Sequence, residues 1–75
     1  MTITLELTGH LPHYGGQAEV RLELAAGEPL DGALKKLGIP PDEVLLFIID
    51  GKHFYGDHVP RDGDRVNVLP AISGG

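Results

Sequence analysis

No cysteine occurs in the 75 residues, and that absence removes three kinds of chemistry at once. Without thiols there is no disulfide staple, no thiolate metal site and no cysteine nucleophile, so a packed core alone must hold the fold. A surplus of positive charge is missing too. Six Lys and Arg stand against eleven Asp and Glu, a formal net charge of −5, which opposes attraction to phosphate backbones because DNA and RNA binding draws on a basic patch that releases counterions. No nucleic-acid partner is expected; a basic protein surface suits this charge better. No apolar stretch approaches the ~18 residues of a membrane span. Nor does Met1 to Thr8 open with a charged segment and a long apolar run, since polar and apolar residues alternate there. The expected setting is soluble and cytoplasmic, without a membrane partner. Repeats and low-complexity tracts are lacking as well, and a chain of this length suits one domain with one modest core.

What is present is clear periodicity. Thr2 to Thr8 places Ile3, Leu5 and Leu7 on one side and Thr2, Thr4, Glu6 and Thr8 on the other, the pattern of a strand with one wet face. The stretch Gly9 to Gly16, with Pro12 and three glycines, predicts a turn. Alternation resumes at Glu19, with Val20, Leu22 and Leu24 on one side, so the first two strands are expected to form an antiparallel hairpin. Pro29 suits a first helical position, and Leu30, Ala33, Leu34 and Leu37 follow at helical spacing before Gly38, predicting a helix of about nine residues. Gly32 inside it suggests a closely approaching strand. After Pro40 and Pro41, the apolar run Val44 to Ile49 reads as a central strand buried on both faces. Asp50-Gly51 predicts a tight turn into a short edge strand, Lys52 to Tyr55. A second turn, Arg61 to Asp64, leads into Arg65 to Leu69, where Pro70 is expected to end pairing.

Strand, strand, helix, strand, short strand, strand describes an α+β β-grasp: a mixed sheet of four to five strands packed on one helix, with the first and last strands parallel at its centre. Residues 1–69 form the domain in this scheme. Residues 70–75 form a flexible C-terminal tail ending in Gly-Gly, since chain ends without docking are mobile.

Little else in the chain carries chemistry. His10 and His13 lie in a loop, with His53 and His58 elsewhere, and read as solvated side chains, so no metal site is expected. Gly15-Gly16 lacks the remainder of any phosphate-binding motif. Asp62 and Asp64 flank a turn and are explained by it. Ile72 is different, because an apolar residue on an arm has no core to enter and so points to a partner pocket. The sheet's exposed face, with Phe47, Phe54, Tyr55 and Leu69 for apolar contact and Arg61 or Arg65 for charge, is a second candidate surface. Phe47 fits the core at least as well, and the two arginines fit solvated turns.

Three blocks carry a resemblance to a known family: Leu37-Gly38-Ile39-Pro40, Ile48-Ile49-Asp50-Gly51-Lys52, and Asp62-Gly63-Asp64-Arg65-Val66 running to Leu69-Pro70-Ala71-Ile72-Ser73-Gly74-Gly75. Over essentially the whole chain the sequence resembles the MoaD/ThiS family of ubiquitin-like sulfur carriers, and its tail is most similar to the small, sulfur-carrying subunit of molybdopterin synthase. The resemblance implies a carrier protein rather than an enzyme, a non-catalytic synthase subunit acting as co-substrate. Its Gly75 carboxylate would be adenylated and converted to a thiocarboxylate, with Gly74 beside it and Leu69, Pro70, Ala71, Ile72 and Ser73 engaging partners. No cofactor is implied on the chain itself; ATP and Mg²⁺ belong to the partner activating enzyme. The implied partners are an adenylating, ubiquitin-activating-like enzyme, a sulfur donor such as a cysteine desulfurase or rhodanese, and a larger synthase subunit. Pro70 favours molybdopterin, the cofactor of molybdenum and tungsten enzymes, as the destination of the sulfur. Asp50-Gly51 in place of the family's frequent Asn-Gly, and the lack of an aromatic residue and second proline around Leu69 to Ala71, keep two alternatives open. These are sulfur delivery to thiamine thiazole or tRNA, and a protein modifier forming isopeptides.

Overall fold

In the computed structural model of this chain, which describes residues 1–71, the elements follow in the order β1 (Thr2–Leu7), α1 (Pro12–Gly15), β2 (Glu19–Glu23), α2 (Leu30–Leu37), β3 (Val44–Ile49), β4 (Lys52–Phe54) and β5 (Arg65–Pro70). A 3-10 turn at Pro41–Glu43 leads into β3. One mixed sheet holds all five strands in the order β2-β1-β5-β3-β4. β1 runs antiparallel to β2 and parallel to β5, while β3 runs antiparallel to β5 and β4. The chain is therefore a ubiquitin-like β-grasp, with the expected hairpin and the expected parallel pair of first and last strands. No helix among the described residues is long and apolar enough to cross a membrane.

One layer of apolar side chains joins sheet to helix. Alternation sends Ile3, Leu5 and Leu7 of β1 and Val66 and Val68 of β5 inward, where they meet Leu30, Ala33 and Leu34 from one stripe of α2. Pro29 stands just outside the helix in an extended conformation, so α2 has eight residues and begins at Leu30. No side chain among the described residues caps that end. The loop after β4 does so instead, with the Leu30 and Asp31 amides donating to the carbonyls of His58 and Gly56, each at 2.9 Å. Gly32 is crowded by its own helix's approach rather than by a strand. A β-carbon there would strike the Glu28 side chain, which accepts from the Ala25 amide at 2.9 Å and lies 3.6 Å from the Lys36 ammonium.

Two further expectations are corrected. Gly9 to Gly16 is more than a turn: Pro12–Gly15 forms one helical turn, closed by the Gly16 amide donating to the Pro12 carbonyl at 2.8 Å. Leu11, fully buried just before it, ties this connection to the core, and such burial contributes about 1.5–3 kcal/mol. The second concerns β3, which is neither central nor buried on both faces. β5 occupies the centre, and only Phe47 and Ile49 of β3 are buried. A run of six apolar residues was compatible with double burial, but among the described residues no layer covers this sheet's outer face.

Candidate functional site at the end of the central strand

β5 lies between β1 and β3, so its end is flanked by the connection leaving β1 and the one entering β3. Both grip it. The Thr8 hydroxyl donates to the Val68 carbonyl at 2.9 Å. Gly9, with φ +61°, lies so close to the chain that a β-carbon would come within 2.8 Å of Pro70 Cγ; only glycine combines that conformation with that approach. From the other side, the Ala71 amide donates to the Glu43 carbonyl at 2.8 Å. His10 Nε2 and Glu43 Oε2, 2.6 Å apart, then join the two connections across the strand end. Thr8, Gly9, His10 and Glu43 thus form a collar around Pro70 and Ala71.

The collar moves the boundary between body and tail. Pro70 pairs with Val44 as the last residue of β5, one step beyond the expected end at Leu69, and Ala71 is held as well. Proline is compatible with this place because pairing stops there and no further ladder donor is needed. Ile72, Ser73, Gly74 and Gly75 lie outside the described residues. Leu69 sits opposite Leu46 on the sheet's outer face. Sequence reasoning missed Gly9 and Glu43, and it took His10 for a free loop histidine. Their partners are distant in sequence, His10 and Glu43 being 33 positions apart, and no local pattern announces such a pairing.

At its other end β5 is anchored by the expected turn. The Asp64 amide donates to the Arg61 carbonyl at 3.1 Å, the Gly63 amide to the Thr2 carbonyl at 2.7 Å and the Thr4 amide to the Asp64 carbonyl at 2.9 Å. Asp62 Oδ1 accepts from the Thr2 amide at 2.7 Å, and Asp64 Oδ2 from the Arg61 amide at 2.8 Å. Both carboxylates are engaged in fixing the turn.

The outer face of the sheet divides in two. Towards β2 it is charged: Arg65 reaches Glu19 at 2.7 Å and Glu6 at 3.0 Å, and those carboxylates, Glu19 foremost, raise its pKa above the ordinary arginine value. Arg65 is therefore committed within the molecule. Towards β3 the face is apolar, with Leu46, Ile48 and Leu69 outside the buried core and its margin and Leu45 58% exposed. Phe47 is core, Phe54 is half-buried and stacks on His58 with ring centroids 3.9 Å apart, and Tyr55 is exposed. Of the aromatic residues considered for the exposed face, Tyr55 alone is freely presented. Among the described residues no group of three His, Asp or Glu could hold a metal ion, and no polar or charged side chain is buried.

With this geometry in view, the likeness to known proteins is specific. A family model described as Mut7-C ubiquitin matches residues 1–74. No curated protein matches the sequence. Among solved structures, a Pyrococcus furiosus chain assigned as molybdopterin converting factor, subunit 1, is similar over 96% of this chain and 99% of its own, with 17% identity and a TM-score of 0.75. SAMP1 from Haloferax volcanii is similar over the full length of both chains, with 19% identity and a TM-score of 0.74. The small archaeal modifier protein 1 of Methanosarcina acetivorans covers 99% of this chain and 96% of its own, with 20% identity and a TM-score of 0.67. What these structures share with the chain is the fold of small ubiquitin-like carriers and modifiers.

Proposed function

The chain belongs to the Mut7-C ubiquitin family, and from that premise we propose that it is a carrier, not itself an enzyme, that acts as co-substrate through Gly75. The observation that carries this reading is the collar: the central strand ends at Pro70 and the next residue, Ala71, is held by Glu43, ahead of the Gly74-Gly75 pair. A carboxylate is anionic at neutral pH and a poor acyl electrophile. An adenylating partner using ATP and Mg²⁺ joins Gly75 to AMP with release of pyrophosphate, and the mixed anhydride then reacts where the carboxylate would not. A persulfide on a cysteine desulfurase or rhodanese displaces AMP, and a thiol reductant releases the thiocarboxylate. Residues without β-carbons at 74 and 75 suit passage into a narrow, water-poor site.

For the destination of the sulfur we favour molybdopterin, delivered in complex with a larger synthase subunit. The name of the Pyrococcus furiosus relative and Pro70 before the tail support it. Intact mass of the protein from its native host tests the carrier step: a chain ending at Gly75 with one oxygen replaced by sulfur is expected. A chain that continues unprocessed past Gly75, or never carries sulfur, overturns it. Co-purification of a larger subunit tests the destination.

A modifier is the second reading, favoured by the names of the two SAMP1 relatives. In that case Gly75 is joined to target lysines, and immunoblots display a ladder of higher-mass species that is lost when Gly75 is deleted.

A further inference from the structure

The geometry points to a binding site for a nucleoside monophosphate in the cleft between the β3–β4 turn and the turn that opens β5. This is the end of β5 away from the collar, and the inference does not rest on the carrier reading. The cleft has a volume of about 310 Å³ and is lined by Ile49, Asp50, Lys52, Phe54, His58, Arg61 and Asp64. That size suits one small ligand. Its walls are tied down on every side. Lys52 pairs with Ile49 and Phe54 with Phe47, so both share the sheet face on which Ile49 and Phe47 are buried. His58, stacked on Phe54, donates its amide to the Tyr55 carbonyl at 3.1 Å and accepts from the Leu30 amide at 2.9 Å. Arg61 is bound to Asp64 through its own amide and carbonyl, at 2.8 and 3.1 Å. The cleft is therefore built by the fold and needs no ligand to assemble it.

Two cations converge here, and neither is neutralised. Among the described residues the ion pairs belong to Met1, His10, Lys36 and Arg65. Lys52 and Arg61 take part in none, although two carboxylates line the same cleft. Asp64 is turned to the Arg61 amide, and Asp50 stands in the hairpin turn at φ 52°. Like charges gathered in one cleft cost free energy that a bound anion offsets. Two cations match a phosphate monoester, which carries nearly two negative charges at neutral pH, better than a carboxylate, which carries one. The Arg61 guanidinium offers a bidentate fork and the Lys52 ammonium a point charge. The stacked rings of Phe54 and His58 supply a wall for a flat base. Asp50 and Asp64 would repel a bare anion, whereas ribose hydroxyls donate to carboxylates. A flat ring, sugar hydroxyls and a dianion together describe a nucleoside monophosphate. The net charge of −5 repels a nucleic-acid strand, whose charge repeats along its length, more than one nucleotide seated between two cations.

The test is an NMR titration of the isotope-labelled full chain with AMP at neutral pH and low salt. Saturable shifts are expected at the amides of Lys52, Phe54, His58 and Arg61, with a dissociation constant below about 1 mM, and none at the Gly9 and Ala71 amides of the collar. Lys52→Gln and Arg61→Gln should each weaken binding at least about fivefold. Lys35→Gln, which removes an exposed cation from α2, leaves it unchanged. Equal thermal midpoints for the variants separate lost binding from lost folding. Adenosine, which lacks the dianion, and inorganic phosphate, which lacks the ring and sugar, should each bind at least about tenfold more weakly than AMP. The absence of any saturable shift up to about 10 mM AMP, or an equal loss with Lys35→Gln, overturns the inference. So does inorganic phosphate binding as tightly as AMP, which would mean an adventitious ion only. None of these outcomes touches Gly75, so the carrier reading stands or falls by its own mass measurement.

Discussion

The two halves of the sheet's outer face rest on the same core layer and are built from the same kind of strand, yet they treat their exposed positions in opposite ways. On the β2 and β1 side, outward positions hold Thr4, Glu6, Glu19 and Arg21, and Arg65 from β5 draws Glu6 and Glu19 into an ion-pair cluster. On the β3 side, outward positions hold Leu46, Ile48 and Leu69, and the register shift at Leu45 leaves that residue 58% exposed. The first half has spent its interactions within the molecule. The second leaves apolar surface that only another surface can remove from water. Composition alone averages the two halves and so points to no particular face.

Because both halves share one core, the largest effect is expected from a change beneath them. Phe47→Ala should destabilise the domain by about 3–5 kcal/mol in urea titrations, with a single transition for all strands; separate melting of the β1–β2 and β3–β4 hairpins would mean that the halves are independent units. Gly9→Val comes next. A branched side chain at φ +61°, against Pro70, should cost about 1–3 kcal/mol, by the same measurement. His10→Ala is milder, under about 1 kcal/mol, but local: hydrogen exchange should accelerate at the Ala71 amide and stay unchanged at the Thr4 amide, which is bonded at the opposite end of β5. Equal acceleration at both amides would mean that the collar has no separate existence. The smallest effect belongs to Arg65→Gln, an exposed site whose ion pairs are screened by salt. A raised pKa stabilises fully below the ordinary arginine value and is lost only as pH rises through the raised one. Stability curves of wild type and Arg65→Gln should therefore run parallel across about pH 6 to 9.

Much of the fold was legible from local pattern. The period of two in Thr2 to Thr8 and Glu19 to Leu24, the helical spacing of Leu30, Ala33, Leu34 and Leu37, and the two Asp-Gly turns each follow from geometry within a few residues. Asp50 and Gly51 both take positive φ, 52° and 76°, as a two-residue hairpin turn requires. Val44 to Ile49 was misread because a wholly apolar run has no alternation to reveal its wet side. The tail's composition was legible and its base was not: Leu69 looked like the last paired residue, whereas Val44 and Glu43 hold Pro70 and Ala71.

By itself, then, the sequence determined the elements, their order and the Gly74-Gly75 ending, because backbone preference and side-chain periodicity act between near neighbours. Only the tertiary structure decided which leucines of β3 face outward and where the body of the protein stops. Those outcomes depend on the register of β3 against β5 and on a histidine and a glutamate 33 positions apart, contacts that exist only once the helix has brought the two hairpins onto one sheet.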